Sequence, residues 1–301
     1  MLHRTRQPEA KAEMKTLVPT LAGRKGLVVG IANDKSIAWG CARAYRALGA
    51  DLAVTYLNAK ADRFVRPLAE AVEAEIIAPL DVTAEGEMDA VFEQIRETWG
   101  RLDFVLHAIA YAPMDDLHGR VTDCSREGFL QAMDISCHSL IRLAHLAEPL
   151  MANGGAIQTV SYLGSEKVVD NYNVMGPVKS ALESVVRYLA AELGPKGIRV
   201  NTLSPGPLMT RAASGIGHFD DLVSKVIDRA PTHQLTTIEE VGAMSAFLMT
   251  DLAGSVNGDG ALEVRVTRLA KDSTLARVMT MVEEAQTQKS PTQQTVEKFE
   301  R

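Results

Sequence analysis

At 301 residues, with 46% hydrophobic and 23% charged side chains, the chain has room for one sizeable α/β domain and the composition of a globular protein. Its net charge of -6 argues against a general nucleic-acid binder, and no apolar run approaches the roughly 18–20 residues of a membrane span. Cys41, Cys124 and Cys137 are scattered, odd in number and never spaced C-x-x-C, so they read as reduced thiols and exclude a disulfide framework or a zinc site. Residues 1–19 lack the apolar core of a signal peptide, and a cytoplasmic location is expected.

The first predicted strand, Gly26–Gly30, runs into Gly30-Ile31-Ala32-Asn33-Asp34-Lys35-Ser36, and a helix is predicted over Ser36–Leu48. Gly30 permits a tight turn, Ser36 is a suitable N-cap, and the helix amides there suit a pyrophosphate. The glycine spacing is not G-x-G-x-x-G, so the glycines alone also fit an ordinary strand-to-helix turn. The second strand, Asp51–Tyr56, ends in Leu57-Asn58-Ala59-Lys60. That stretch offers no acid for a ribose 2′-hydroxyl and no arginine for a 2′-phosphate. NADH is the expected cofactor, NADPH stays open, and Lys60 reads as a solvated lysine at a helix start.

The third strand, Glu75–Leu80, is followed by Asp81-Val82, where a carboxylate either accepts from an adenine amino group or closes a turn. A helix over Glu85–Trp99 follows, with Met88, Val91, Phe92 and Ile95 at helical spacing. The fourth strand, Leu102–His107, leads into Ala108-Ile109-Ala110, small enough to leave space for a ribose and nicotinamide. Next come a predicted helix over Glu127–Met151 and a strand over Ala156–Val160.

Beyond that strand, Tyr162 and Tyr172 precede Lys179 by seventeen and seven residues. If Tyr172–Lys179 is helical, seven residues make two turns and the phenol shares a face with the ammonium, which would lower the phenol's pKa. Pro177 leaves a second arrangement open, with Tyr172 just ahead of the regular helix. A helix over Ser180–Leu193 and a strand over Ile198–Leu203 follow. The small-residue stretch Met209–Leu222 reads as a flap over substrate or as a solvent loop. Thr237-Ile238-Glu239-Glu240 is a capping-box start for a helix reaching about Asp251. Strand and helix alternate throughout, which predicts a doubly wound, mostly parallel, Rossmann-like sheet. It spans 21–266 as one domain, between an N-terminal tail (1–20) and a helical C-terminal extension (267–301).

Taken together, Gly30–Gly40, Asp81-Val82, His107–Pro113, Met133–Ser136, Ser161–Gly164, Asn171–Lys179 and Ser204–Ile216 resemble the NADH-dependent enoyl-[acyl-carrier-protein] reductases. These belong to the short-chain dehydrogenase/reductase superfamily, and the likeness runs from about residue 21 to 258. Ordinary members of the superfamily keep a serine and a tyrosine where this chain has Tyr162 and Met175, and the displaced Tyr172 marks the enoyl reductase branch. The resemblance implies hydride addition from NADH to an acyl-carrier-protein-linked enoyl thioester in fatty-acid elongation, by a homotetramer. It implies Tyr172, Lys179 and Tyr162 as catalytic residues. It implies dinucleotide contacts from Gly30, Ser36, Ile37, Asp81, Val82, Ile109, Lys179, Leu208, Met209, Thr210, Arg211 and Ala212, and a substrate contact from Ala112. It implies no metal.

The end of the chain departs from that pattern. About 257–301 resembles a fragment of a heavy-metal P-type ATPase, without its phosphorylation motif, membrane helices or metal ligands, so no transport function follows. Ala261–Val266 alternates apolar and polar residues and is expected to fill the place of a last strand. A short-chain carbonyl reductase and an inactive dinucleotide-binding chimera are the alternative readings.

Overall fold

The computed structural model describes residues 18–210, 223–224, 226–228, 230–254, 256–257 and 261–262. In chain order the strands and α-helices are β1 (Lys25–Val29), α1 (Ile37–Ala47), β2 (Asp51–Tyr56), α2 (Ala59–Ala71), β3 (Ile76–Pro79), α3 (Glu87–Trp99), β4 (Phe104–His107) and α4 (Met114–His118). They continue with α5 (Arg126–Met133), α6 (Ser139–Ala147), β5 (Gly155–Val160), α7 (Met175–Leu193), β6 (Ile198–Leu203), α8 (Ile238–Met249) and β7 (Ala261–Leu262).

The strands form one sheet in the order β3-β2-β1-β4-β5-β6-β7, and every pairing is parallel. Leu27 and Val29 of β1 join a core cluster with side chains of α3, α6 and α7. Val28, between them, joins one with side chains of α1, α2 and α8. A strand buried on both faces has no solvent side for polar residues, which is why these strands read as unbroken apolar runs. Each such Leu or Val contributes about 1.5–3 kcal/mol on burial.

The chain steps from β1 outward to β3, returns to β4 beside β1, and then steps outward the other way. The reversal opens a crevice at the carboxyl ends of β1 and β4, the usual ligand position in such sheets. Among the described residues no helix is long and apolar enough to cross a membrane.

Two predicted helices differ from what forms. Glu127–Met151 is not one regular helix: α5 passes into a π-helical turn, Asp134–His138, before α6. Ala132, Ser136, Cys137, Leu140 and Leu143 stay buried across that turn, so the apolar periodicity carries no trace of it. The helix expected from Ser180 starts five residues earlier, at Met175, and takes Pro177 into its first turn, where a missing amide costs little. At α8 the capping box forms as expected: Thr237 Oγ1 accepts from Glu240 N at 3.2 Å, and Glu240 Oε2 accepts from Thr237 N at 2.8 Å. Ala261 and Leu262 pair with Thr202 and Leu203. Residues 263–266 of the expected last strand, the expected helical extension 267–301 and flap residues 211–222 lie outside the described residues. So does nearly all of the stretch 257–301 expected to resemble a P-type ATPase fragment.

Candidate active site

The predicted cofactor residues follow successive strands, so the parallel sheet delivers Gly30, Asp81 and Ile109 to the same edge. Gly30 has φ +114°, and a Cβ on it would lie 2.2 Å from the carbonyl oxygen of Ala108. Only glycine allows β1 and β4 to converge in this way. Ser36 occupies the N-cap position of α1, but its side chain does not cap the helix. Its Oγ instead accepts from Ala32 N and Asn33 N, each at 3.0 Å, because the tight loop brings its own amides closer. The first turn of α1, beginning at Ile37, is thus left without a side-chain cap, and its positive end suits a phosphate. An arrangement of this kind fits a dinucleotide.

Asp81 closes a turn, accepting from Thr83 N at 2.9 Å and Thr83 Oγ1 at 2.7 Å, both on Oδ1. Val82 is buried in the core beside α3, and Ile109 packs against the same cluster. Leu208 is buried under α8, whereas Met209 is exposed. Thr210 N donates to Leu208 O at 2.8 Å. Arg211 and Ala212 lie outside the described residues. Lys60, near the start of α2, is exposed, as expected of a solvated lysine.

Tyr172 sits ahead of α7, between two asparagines with left-handed backbone, Asn171 (φ 62°) and Asn173 (φ 42°). Asparagine tolerates that conformation better than most residues. Asn173 Nδ2 ties the turn to Leu117 O at 2.8 Å. A Cβ on Gly164 would lie 2.3 Å from the Tyr172 ring, so the glycine makes room for it. The rings of Tyr162 and Tyr172 meet edge to face at 4.9 Å, and Ala112 joins Tyr172 in a small apolar cluster. The two-turn helical spacing from Tyr172 to Lys179 is therefore not what relates them; the folded turn is.

The expected lowering of the phenol's pKa is also not found. Burial, followed by the neighbouring Tyr162 and Glu183, holds Tyr172 well above the ordinary tyrosine value. Burial likewise raises Tyr162. Lys179 is 5% exposed and is pushed down to about 8 by burial, against the opposing pull of Glu183 and Cys137. Its Nζ donates to Val160 O at the end of β5, at 2.6 Å.

Several residues here escaped the sequence reading. Glu183, one turn beyond Lys179, is buried and accepts from Ser161 and Ser165. His107, fully buried, has Ser139 Oγ at 2.8 Å from Nε2 and Thr159 Oγ1 at 2.8 Å from Nδ1. Ser139 Oγ donates to Ile135 O at 2.7 Å. It must therefore accept from Nε2–H, leaving Nδ1 to accept from Thr159. Burial and the nearby Lys179 hold this imidazole neutral, with its pKa lowered to about 3. Ser136, in the π-helical turn, accepts from Tyr111 N at 2.9 Å and donates to Tyr111 O at 3.0 Å, fixing the loop that carries Ile109 and Ala112. A Lys-x-x-x-Glu spacing on the buried stripe was the one available signal for Glu183.

The arrangement offers a buried phenol in ring contact with a second phenol, and a buried ammonium held at the carboxyl end of β5. It suits stabilising an oxyanion formed by hydride addition. No cluster of side chains able to hold a metal occurs among the described residues.

Comparison with known proteins gives a consistent picture. The family model described as enoyl-(acyl carrier protein) reductase matches residues 30–262. An NADH-type enoyl-[acyl-carrier-protein] reductase of Synechocystis is 46% identical over 241 residues, covering 79% of this chain and 93% of its own length. A Bacillus cereus counterpart is also 46% identical, over 79% of this chain and 94% of its own. The solved Bacillus cereus enoyl-acyl carrier protein reductase with NADP+ and indole naphthyridinone superposes with a TM-score of 0.79 at 44% identity, covering 82% of this chain and 96% of that one. The structure from Anaplasma phagocytophilum in complex with NAD gives 0.77 at 44% identity, covering 81% and 92%.

Proposed function

The chain belongs to the enoyl-[acyl-carrier-protein] reductases, and from that premise we propose how its own residues perform the reduction. It is an oxidoreductase of fatty-acid synthesis that reduces the double bond of an enoyl thioester on acyl-carrier protein, with NADH as cofactor. The bound nicotinamide supplies the hydride that adds to the β-carbon of the trans-2 double bond.

Tyr172 donates a hydrogen bond to the thioester carbonyl oxygen, where negative charge gathers as the enolate forms. A phenol held above its ordinary pKa by burial keeps its proton through that step. A donor in a dry pocket stabilises developing charge more than one in water. Tyr162 braces the Tyr172 ring edge to face and lies ready as a second donor. Lys179 gives one ammonium hydrogen to Val160 O, which leaves two for the hydroxyls of the nicotinamide ribose.

Gly30, Ser36 and Ile37 line the pyrophosphate, Asp81 and Val82 the adenine, and Ile109 with Leu208, Met209, Thr210, Arg211 and Ala212 the nicotinamide side. Ala112 touches the acyl chain. A cytoplasmic homotetramer completes the proposal, to be checked by light scattering. The resemblance of about 257–301 to a P-type ATPase fragment carries no transport role in this proposal.

One observation carries this reading: Tyr172 and Tyr162 are in ring contact ahead of Lys179, while Met175 takes the place four residues before the lysine. Initial rates with a crotonyl thioester and with a ketone, each with NADH and NADPH, test it. Enoyl thioester reduction with NADH is expected; ketone reduction alone would overturn it.

A further inference from the structure

Glu183 follows Lys179 by one turn, and both lie on the buried stripe of α7 with Met175, Leu182 and Val186. A carboxylate only 7% exposed is costly to bury unless its charge and lone pairs are answered. The lone pairs are answered by serines: Oε1 accepts from Ser161 Oγ at 2.5 Å and from Ser165 Oγ at 2.6 Å. Those serines flank Tyr162, Leu163 and Gly164, the turn against which the Tyr172 ring rests. Ser180, also on α7, donates to Ser165 O and ties down the same turn.

Lys179, one turn earlier on α7, is the cation of the same buried stripe. The other titratable groups around that ammonium are neutral: His107 on β4 is held near 3, and burial raises the Cys137 thiol of the π-helical turn. The phenols of Tyr162 and Tyr172 are raised as well. Against the burial that lowers Lys179, the attraction of Glu183 is the largest opposing influence.

We propose that Glu183 is a positioning residue of this active site, anchoring the Tyr162 turn through two serines and keeping the Lys179 ammonium charged. This rests on the roles given above to Tyr172 and Lys179. Glu183→Gln separates the two tasks, since an amide oxygen still accepts from both serines while the charge is gone. Glu183→Ala removes both.

The test is a pH titration of the Lys179 side chain by NMR in the full, unliganded protein, with Lys179→Met assigning the signal. In Glu183→Gln the midpoint should fall by about 1 pH unit, the low end for loss of an adjacent opposite charge. The alkaline limb of kcat/KM with NADH and a crotonyl thioester should move down with it. Glu183→Ala should lower kcat further through the loosened turn. An unmoved midpoint in folded Glu183→Gln, checked by circular dichroism, overturns the proposal. If the parent chain does not reduce the thioester, the functional reading falls instead, while the titration still decides the Glu183–Lys179 coupling.

Discussion

The half of the sheet built by β1 to β3 and the half from β4 onward bury different chemistry. Before Leu102, the buried residues with a side-chain oxygen are, among the described residues, Thr55 and Tyr45. From Asp103 on, the interior also takes in His107, Ser139, Thr159, Ser161, Lys179 and Glu183. Polar groups cost stability when buried unless they are paired, and these are paired largely with one another. The first half thus serves as an apolar platform that offers the site mainly backbone, at Gly30 and the start of α1. The second half holds donors and charges in place within its buried core.

Removing one hydroxyl from the second half should have the largest effect on turnover. Tyr172→Phe keeps the ring against Gly164 and Tyr162 but loses the donor. Turnover of a trans-2-enoyl thioester should fall roughly 10²–10⁴-fold, with thermal stability nearly unchanged. Undiminished turnover would erase the division between platform and chemistry.

Leu52→Ala sharpens the contrast from the other side. Leu52 is fully buried in β2, and its truncation should cost about 2–5 kcal/mol in urea unfolding. Because its core cluster includes neither Tyr172 nor Lys179, kcat per folded molecule should hold. A parallel loss of kcat would mean that the first half also shapes the chemistry.

The smallest expected effect is a pH slope from the second half. His107 is lowered from 6.5 to about 3 in the folded state. Between those values only the unfolded chain carries the proton, so stability falls as the pH is lowered from about 6.5. The slope is at most about 1.4 kcal/mol per pH unit. Urea unfolding of His107→Asn from pH 7 to 5 should be correspondingly flatter, while an identical slope would place the neutral imidazole in doubt.

Much of the candidate site's placement could be read from the chain because parallel strands announce their ends. Asp81 and Ile109 follow apolar runs, and Tyr172 and Lys179 stand out by residue type. What stayed hidden depends on partners distant in sequence. Ser136 gains meaning only through Tyr111, and His107 only through Thr159 and Ser139. Ser36 was placed correctly, yet its hydroxyl turned to the loop amides instead of the helix.

By itself the sequence determined the alternation of strands and helices, the glycine at the first turn, and the tyrosine and lysine types on which the proposed chemistry depends. These follow from local sterics and apolar periodicity, which act over a few residues. Only the tertiary structure decided that Tyr172 sits in a turn outside the helix between two left-handed asparagines, that its phenol is raised and not lowered, and that Glu183 accepts from the serines on either side of the Tyr162 turn. Burial and electrostatic surroundings are properties of the packed interior, and no stretch of chain carries them alone.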